Sequence, residues 1–86
     1  MQNTMNFVET LIEEQMDYYK EEDKEQYDLL LSYIVKGDCE EMYEWVEEQI
    51  DEDMISNHLL RYNVLNDIED NMQTLMSVLK STFVEE

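Results

Sequence analysis

An 86-residue chain with no proline, one glycine and no alanine has few places to turn and almost nothing small enough to bring backbones together. Sheet-rich folds depend on frequent Gly- and Pro-marked turns, so the sequence predicts an all-α protein. Apolar residues make up 43% of the chain, enough to drive collapse despite its charge. At this length a single domain over residues 1–86 is expected, burying roughly 60 to 65% of the surface its unfolded form exposes.

Charge is the second constraint. Twenty-three Asp and Glu stand against five Lys and Arg, a formal net charge of −18. Like charges crowded on a small body repel and lower its stability. At physiological salt the Debye length is about 8 Å, so an acidic face attracts only what comes close. Free nucleic acid and anionic membranes are disfavoured as ligands, and a basic protein surface is favoured.

Cys39 is the single cysteine, which excludes an internal disulfide and fits a reducing compartment. No apolar run approaches the roughly 18 residues of a membrane span. The N-terminus also lacks the basic and apolar segments of a secretion signal, so a cytoplasmic location is expected. Free use of Ile, Asn, Lys, Glu and Tyr in place of Ala, Pro and Gly points to an A·T-rich coding genome, such as that of a phage or other mobile element.

Along the chain, Met5, Val8, Ile12, Met16 and Tyr19, with Leu11 beside them, recur at helical intervals. Asn6 and Glu9 have capping-box spacing, so the first helix is expected from Thr4 or Asn6 to about Lys20. Asp23 and Gln26 mark the start of a second helix with Tyr27, Leu30, Leu31, Ile34 and Val35 on its buried side. Lys36 and Gly37 end it, a cation near the negative terminus followed by a residue tolerant of the left-handed conformation. Asp38 and Glu41 repeat the cap at once, and Met42, Trp45, Val46, Gln49 and Ile50 give the third helix its apolar side. After an acidic turn at 51–53, Ser56 is the expected cap of a segment containing Leu59, Leu60 and Tyr62. Leu65, Ile68, Met72, Leu75 and Leu79, with Phe83 close by, then step by threes and fours like a coiled-coil seam. The expected architecture is a small four-helix bundle with one long C-terminal helix, kinked or split near Asn66–Glu69.

On the third helix Glu40, Glu44, Glu47 and Asp51 line one face over about 16 Å. Glu41, Glu44, Glu48 and Glu52 form a second row beside it. A face kept only for solubility interleaves both signs, yet no Lys or Arg falls between Glu40 and Asp53, and like charges at this spacing destabilise a helix. Glu9, Glu13 and Asp17 repeat the arrangement on the first helix. Tyr and Trp are favoured binding anchors, which singles out Tyr43 and Trp45 among these carboxylates. In surface chemistry this profile resembles the nucleic-acid mimics that mobile elements use against restriction, CRISPR or chromatin proteins. The likeness is one of composition and implies no shared fold.

Other chemistries find little support. Ser32, Ser56 and Ser77 lack the Asp-Ser-Leu context of an acyl carrier, and Asp51, Asp53 and Asn57 lack the alternating ligands and central glycine of a calcium-binding EF-hand loop. His58 and Cys39 alone cannot furnish four nitrogen or sulfur ligands for zinc. Asp38, Glu40 and Glu41 oppose a thiolate at Cys39. No catalytic residue, cofactor or metal site is therefore assigned, and the chain is read as a non-enzyme. The leading expectation is a small acidic inhibitor of a basic, nucleic-acid-binding protein, contacting it through Glu40, Glu41, Glu44, Glu47, Glu48, Asp51, Glu52, Tyr43, Trp45, Glu13 and Asp17. The alternative is a homo-oligomer joined through Leu65, Ile68, Met72, Leu75 and Leu79, with the acid serving solubility.

Overall fold

Val8, Ile12 and Met16 fall on one side of a helix and are completely buried, with Met5, Leu11 and Tyr19 half-buried around them. That stripe belongs to α1 (Gln2–Glu22) of a computed structural model that describes residues 2–51 and 54–84. Nothing between Gln2 and Asn6 breaks a helix, so α1 begins before the expected cap at Asn6, which lies inside it. It also continues two residues past Lys20.

Asp23 alone separates α1 from α2 (Lys24–Lys36). Its backbone leaves the helical region at φ −153°, and its carboxylate accepts from the Gln26 N–H at 3.3 Å. The far end of α2 closes as expected. Gly37 takes φ 69°, its N–H donates to Ile34 O at 3.2 Å, and the Asp38 N–H donates to Tyr33 O at 2.9 Å. These two bonds satisfy carbonyls that the helix end would otherwise orphan. Asp38 then caps α3 (Cys39–Gln49) by accepting from the Glu41 N–H at 3.3 Å.

Between α3 and α4 (His58–Asp70), Asp51 organises the turn: its carboxylate accepts from the Met54 N–H and its carbonyl from the Ile55 N–H. Glu52 and Asp53 lie outside the described residues. The cap of α4 is Asn57, not Ser56; its side-chain oxygen accepts from the Leu60 N–H at 3.0 Å.

The expected single C-terminal helix is instead two, α4 and α5 (Met72–Phe83), so the described residues form five helices rather than four. The division lies at Asn71, beyond Asn66–Glu69. There the Asn71 N–H turns to Ile68 O at 3.1 Å, and the Asn71 side-chain amide bonds Asp67 O at 2.8 Å. The side chain thus occupies the carbonyl that the backbone N–H of a continuous helix would have taken.

α5 packs on α1, α2 and α3, and buries Met72, Leu75, Met76 and Leu79 among them. The proposed dimer seam is consequently core: Ile68, Leu75 and Leu79 are 0% exposed, Met72 is 5% exposed and Leu65 is half-buried. A second copy would reach those side chains only after the fold had opened. Among the described residues no polar or charged side chain is buried. The radius of gyration is 12.6 Å, and no described helix is long and apolar enough to cross a membrane.

Candidate protein-binding face

α3 is fixed by its inner side, where Met42 and Val46 are fully covered, Ile50 is 1% exposed and Trp45 is 8% exposed. With that side committed, helix geometry sends the rest outward. Glu40, Glu41, Glu44, Glu47, Glu48 and Asp51 are all exposed. At 3.6 residues per turn the five glutamates fall within an arc of about 120°, while Asp51 lies past the end of α3, where Ile50 at ψ 71° has left the helical region. Among the described residues no Lys or Arg forms an ion pair with Glu40, Glu41, Glu44, Glu47 or Glu48.

Two of the five cations are engaged elsewhere. Lys24 pairs with Asp28 at 3.4 Å and sits 4.6 Å from the centre of the Tyr27 ring. Arg61 donates to Ile55 O at 3.0 Å and to His58 Nδ1 at 3.2 Å. An arginine can only donate, so His58 accepts through that nitrogen.

Position along α3 makes the repulsion uneven. Glu40 and Glu41 stand in the first turn, where the positive helix end favours them, whereas Glu47 and Glu48 approach the negative end and the last turn carries no base. Glu44, midway, has a glutamate at every helical neighbour position: Glu40, Glu41, Glu47 and Glu48.

Two half-buried tyrosines bracket the arc. The Tyr33 hydroxyl, at the end of α2, is held above its ordinary pKa of 10.0 by burial, then by Glu41, Asp38, Glu44 and Glu48. Tyr43 is raised by burial, then by Glu47 and by Glu69 of α4. Glu69 and Asp70 also share a shallow groove with Cys39 at the start of α3, so the acidic field runs on to the end of α4.

Of the residues read from sequence as partner contacts, Glu40, Glu41, Glu44, Glu47 and Glu48 share this face, with Tyr43 at its edge; Asp51, expected on the same row, lies instead in the turn after α3. Trp45 is corrected: with 8% of its surface exposed it is a core residue and offers a partner little. Glu13 and Asp17 ride on α1, which packs chiefly on α2, α4 and α5, and they add no side chain to the α3 arc. Glu52 lies outside the described residues. Sequence reasoning missed Tyr33, Glu69 and Asp70, because only packing brings them beside α3. Cys39 is a half-buried free thiol, and among the described residues no group of three or more His, Cys, Asp or Glu is placed to hold a metal ion.

Compared with known protein families, curated proteins and solved structures, the chain matches none.

Proposed function

We propose that this protein is an acidic inhibitor that binds, through the exposed arc of α3, the basic nucleic-acid-binding surface of another protein and competes there with nucleic acid. The observation that carries the reading is the run of exposed carboxylates on one rigid helix with no cation interleaved. Neighbouring carboxylates at i, i+3 and i, i+4 stand about 5 to 6 Å apart, a spacing that Lys and Arg side chains arrayed for phosphates can follow. Steering by such a field speeds encounter and selects partners of opposite charge. Tyr43 and Tyr33 supply the aromatic contacts at the margins that Trp45, inside the core, does not. The target class is a host defence protein or another DNA-binding protein, in keeping with the residue usage of a mobile element.

The test is displacement of a fluorescent DNA duplex from a panel of basic nucleases and DNA-binding proteins, followed by anisotropy as salt is raised. Binding that weakens with salt, and is abolished when Glu44, Glu47 and Glu48 are changed together to Lys, supports the reading. Affinity indifferent to both salt and charge reversal eliminates it.

A further inference from the structure

An open trough separates the N-terminal half of α1 from the segment that carries Met54 and Ile55 into α4. It consists of two grooves: Phe7 and Met54 line both, with Ile55 and Val64 in the first and Leu11 and Glu14 in the second, so the two run together. Their volumes are about 270 and 490 Å³, near the lower end of the range for ligand sites, but the trough is open along its length and suits a row of side chains better than an enclosed small molecule. Along α1 the lining extends from Thr4 to Glu14, about 15 Å at 1.5 Å per residue. Its floor is apolar and uncovered, with Phe7 41% and Met54 44% exposed. Its rim has one sign. Glu14 stands two turns beyond Phe7 on the same side of α1, and the Asp51 carboxylate is held at the Met54 wall by the Met54 N–H at 3.2 Å. Among the described residues no Lys or Arg lines either groove, and Arg61 turns instead to Ile55 O and His58.

We infer that this trough receives a short, basic amphipathic helix of a partner protein, with its apolar residues on Phe7, Leu11 and Met54 and its Lys or Arg residues toward Glu14 and Asp51. Charge selects the occupant. A body of net charge −18 repels a second copy of itself, an acidic peptide and an anionic membrane alike. A cationic segment is drawn in, and an apolar row along one side of it covers the floor that carboxylates cannot. A helix set in a groove is anchored at i, i+3, i+4 and i+7, a row of about 11 Å that the length of the lining accommodates. No residue of α3 lines the trough, so binding here is independent of what α3 meets.

The test is fluorescence anisotropy of a labelled synthetic peptide of about 14 residues, with Leu at i, i+3, i+4 and i+7 and Lys between, titrated with the whole chain in ~0.15 M salt. A second peptide of the same composition, with its leucines scattered around the helix, controls for charge alone. The patterned peptide should bind about tenfold more tightly than the scattered one. Phe7→Ser with Met54→Ser should weaken it by about tenfold and retain the helical circular dichroism of the parent, because both side chains are exposed. Glu14→Gln should weaken it by about twofold and lessen its dependence on salt. Leu59 and Tyr62, 72% and 61% exposed, stand on the opposite side of α4 from Val64, so Leu59→Gln with Tyr62→Gln should leave binding as it is. In the parent chain, peptide-induced shifts in a proton–nitrogen correlation spectrum should gather on residues 4–14 and 54–64, a readout that needs no variant. A patterned peptide that does not bind, equal affinity for the two peptides, shifts gathered on α3, or equal losses from the Phe7, Met54 and Leu59, Tyr62 pairs would each overturn the inference.

Discussion

Glu44 is the residue at which the cost of the acidic face can be measured. It is exposed, it makes no ion pair with any described residue, and Glu40, Glu41, Glu47 and Glu48 occupy all four neighbouring positions on the helix. Each like-charged pair at such spacing destabilises by about 0.2 to 0.5 kcal/mol, so neutralising Glu44 relieves about 1 kcal/mol once screening is allowed for. Reversing it turns four repulsions into four attractions and yields about 2 kcal/mol. Gln, Lys and Glu have similar helix propensities, which leaves charge as the variable. Glu44→Gln should therefore raise the melting temperature by about 4 to 8 °C, and Glu44→Lys by more. Urea unfolding followed by far-UV circular dichroism is the suitable assay, since urea, unlike guanidinium chloride, adds no ionic strength. The gain should fade in ~1 M NaCl, where the Debye length is about 3 Å. A Gln variant no more stable than the parent at low salt, or a gain that salt leaves untouched, would refute the account of α3 as a helix held against its own repulsion.

Three further outcomes follow from local geometry. Asn57→Ala should cost about 1 kcal/mol by removing the cap of α4, while Ser56→Ala should change stability by less than about 0.5 kcal/mol; equal effects in urea melts would contradict the cap assignment. Gly37→Ala meets no atom within 4 Å, so its cost is the left-handed backbone alone, about 1 kcal/mol, and Gly37→Asn should cost less. Tyr33 and Tyr43 have raised pKa values in the folded state, so the unfolded chain loses those protons first. Their contribution is complete below pH 10 and disappears as pH climbs from there through the folded values. Melting temperature between about pH 9 and pH 11.5 should thus fall less steeply in Tyr33→Phe and Tyr43→Phe than in the parent, and parallel curves would remove the proposed burial beside carboxylates.

The α2–α3 corner was legible in the sequence because its signals are local. Lys36, Gly37 and Asp38 each act within one turn of their own position and take the expected roles, while the second half of the expected capping box is not made, because the Asp38 N–H goes to Tyr33 O and not to Glu41. The apolar stripes of α1, α3 and α5 were legible for a related reason, since period alone decides which side of a helix can be buried. What escaped was decided by competition. Asn6 has a capping side chain, but nothing before it prevents a helix, so the helix simply runs through. Asn71 divides the C-terminal segment with one side-chain hydrogen bond that no periodicity encodes. Trp45 fitted both the apolar side of its helix and the set of binding anchors in the sequence, and packing decided for the core. The exposed patch on α4 did leave a trace: Leu59, Leu60, Tyr62, Val64, Leu65 and Ile68 are spread too widely around a helix for one buried face to hold them all.

Attraction between α3 and a basic surface is strongest when ions are scarce and weakens as they accumulate. The same is true of attraction to the net charge of the whole chain, so salt alone does not separate recognition by one face from recognition by total charge. Position does. Glu44, Glu47 and Glu48 stand on the exposed arc of α3, whereas Glu21, Glu22 and Glu25 are equally exposed at the α1–α2 corner. Changing either trio to Gln removes three charges and touches no core residue. The α3 trio should weaken a complex with a basic partner and lessen its dependence on salt, while the corner trio should leave both nearly as they are in the parent. Equal losses from the two trios would mean that net charge, and not the arc of α3, governs recognition.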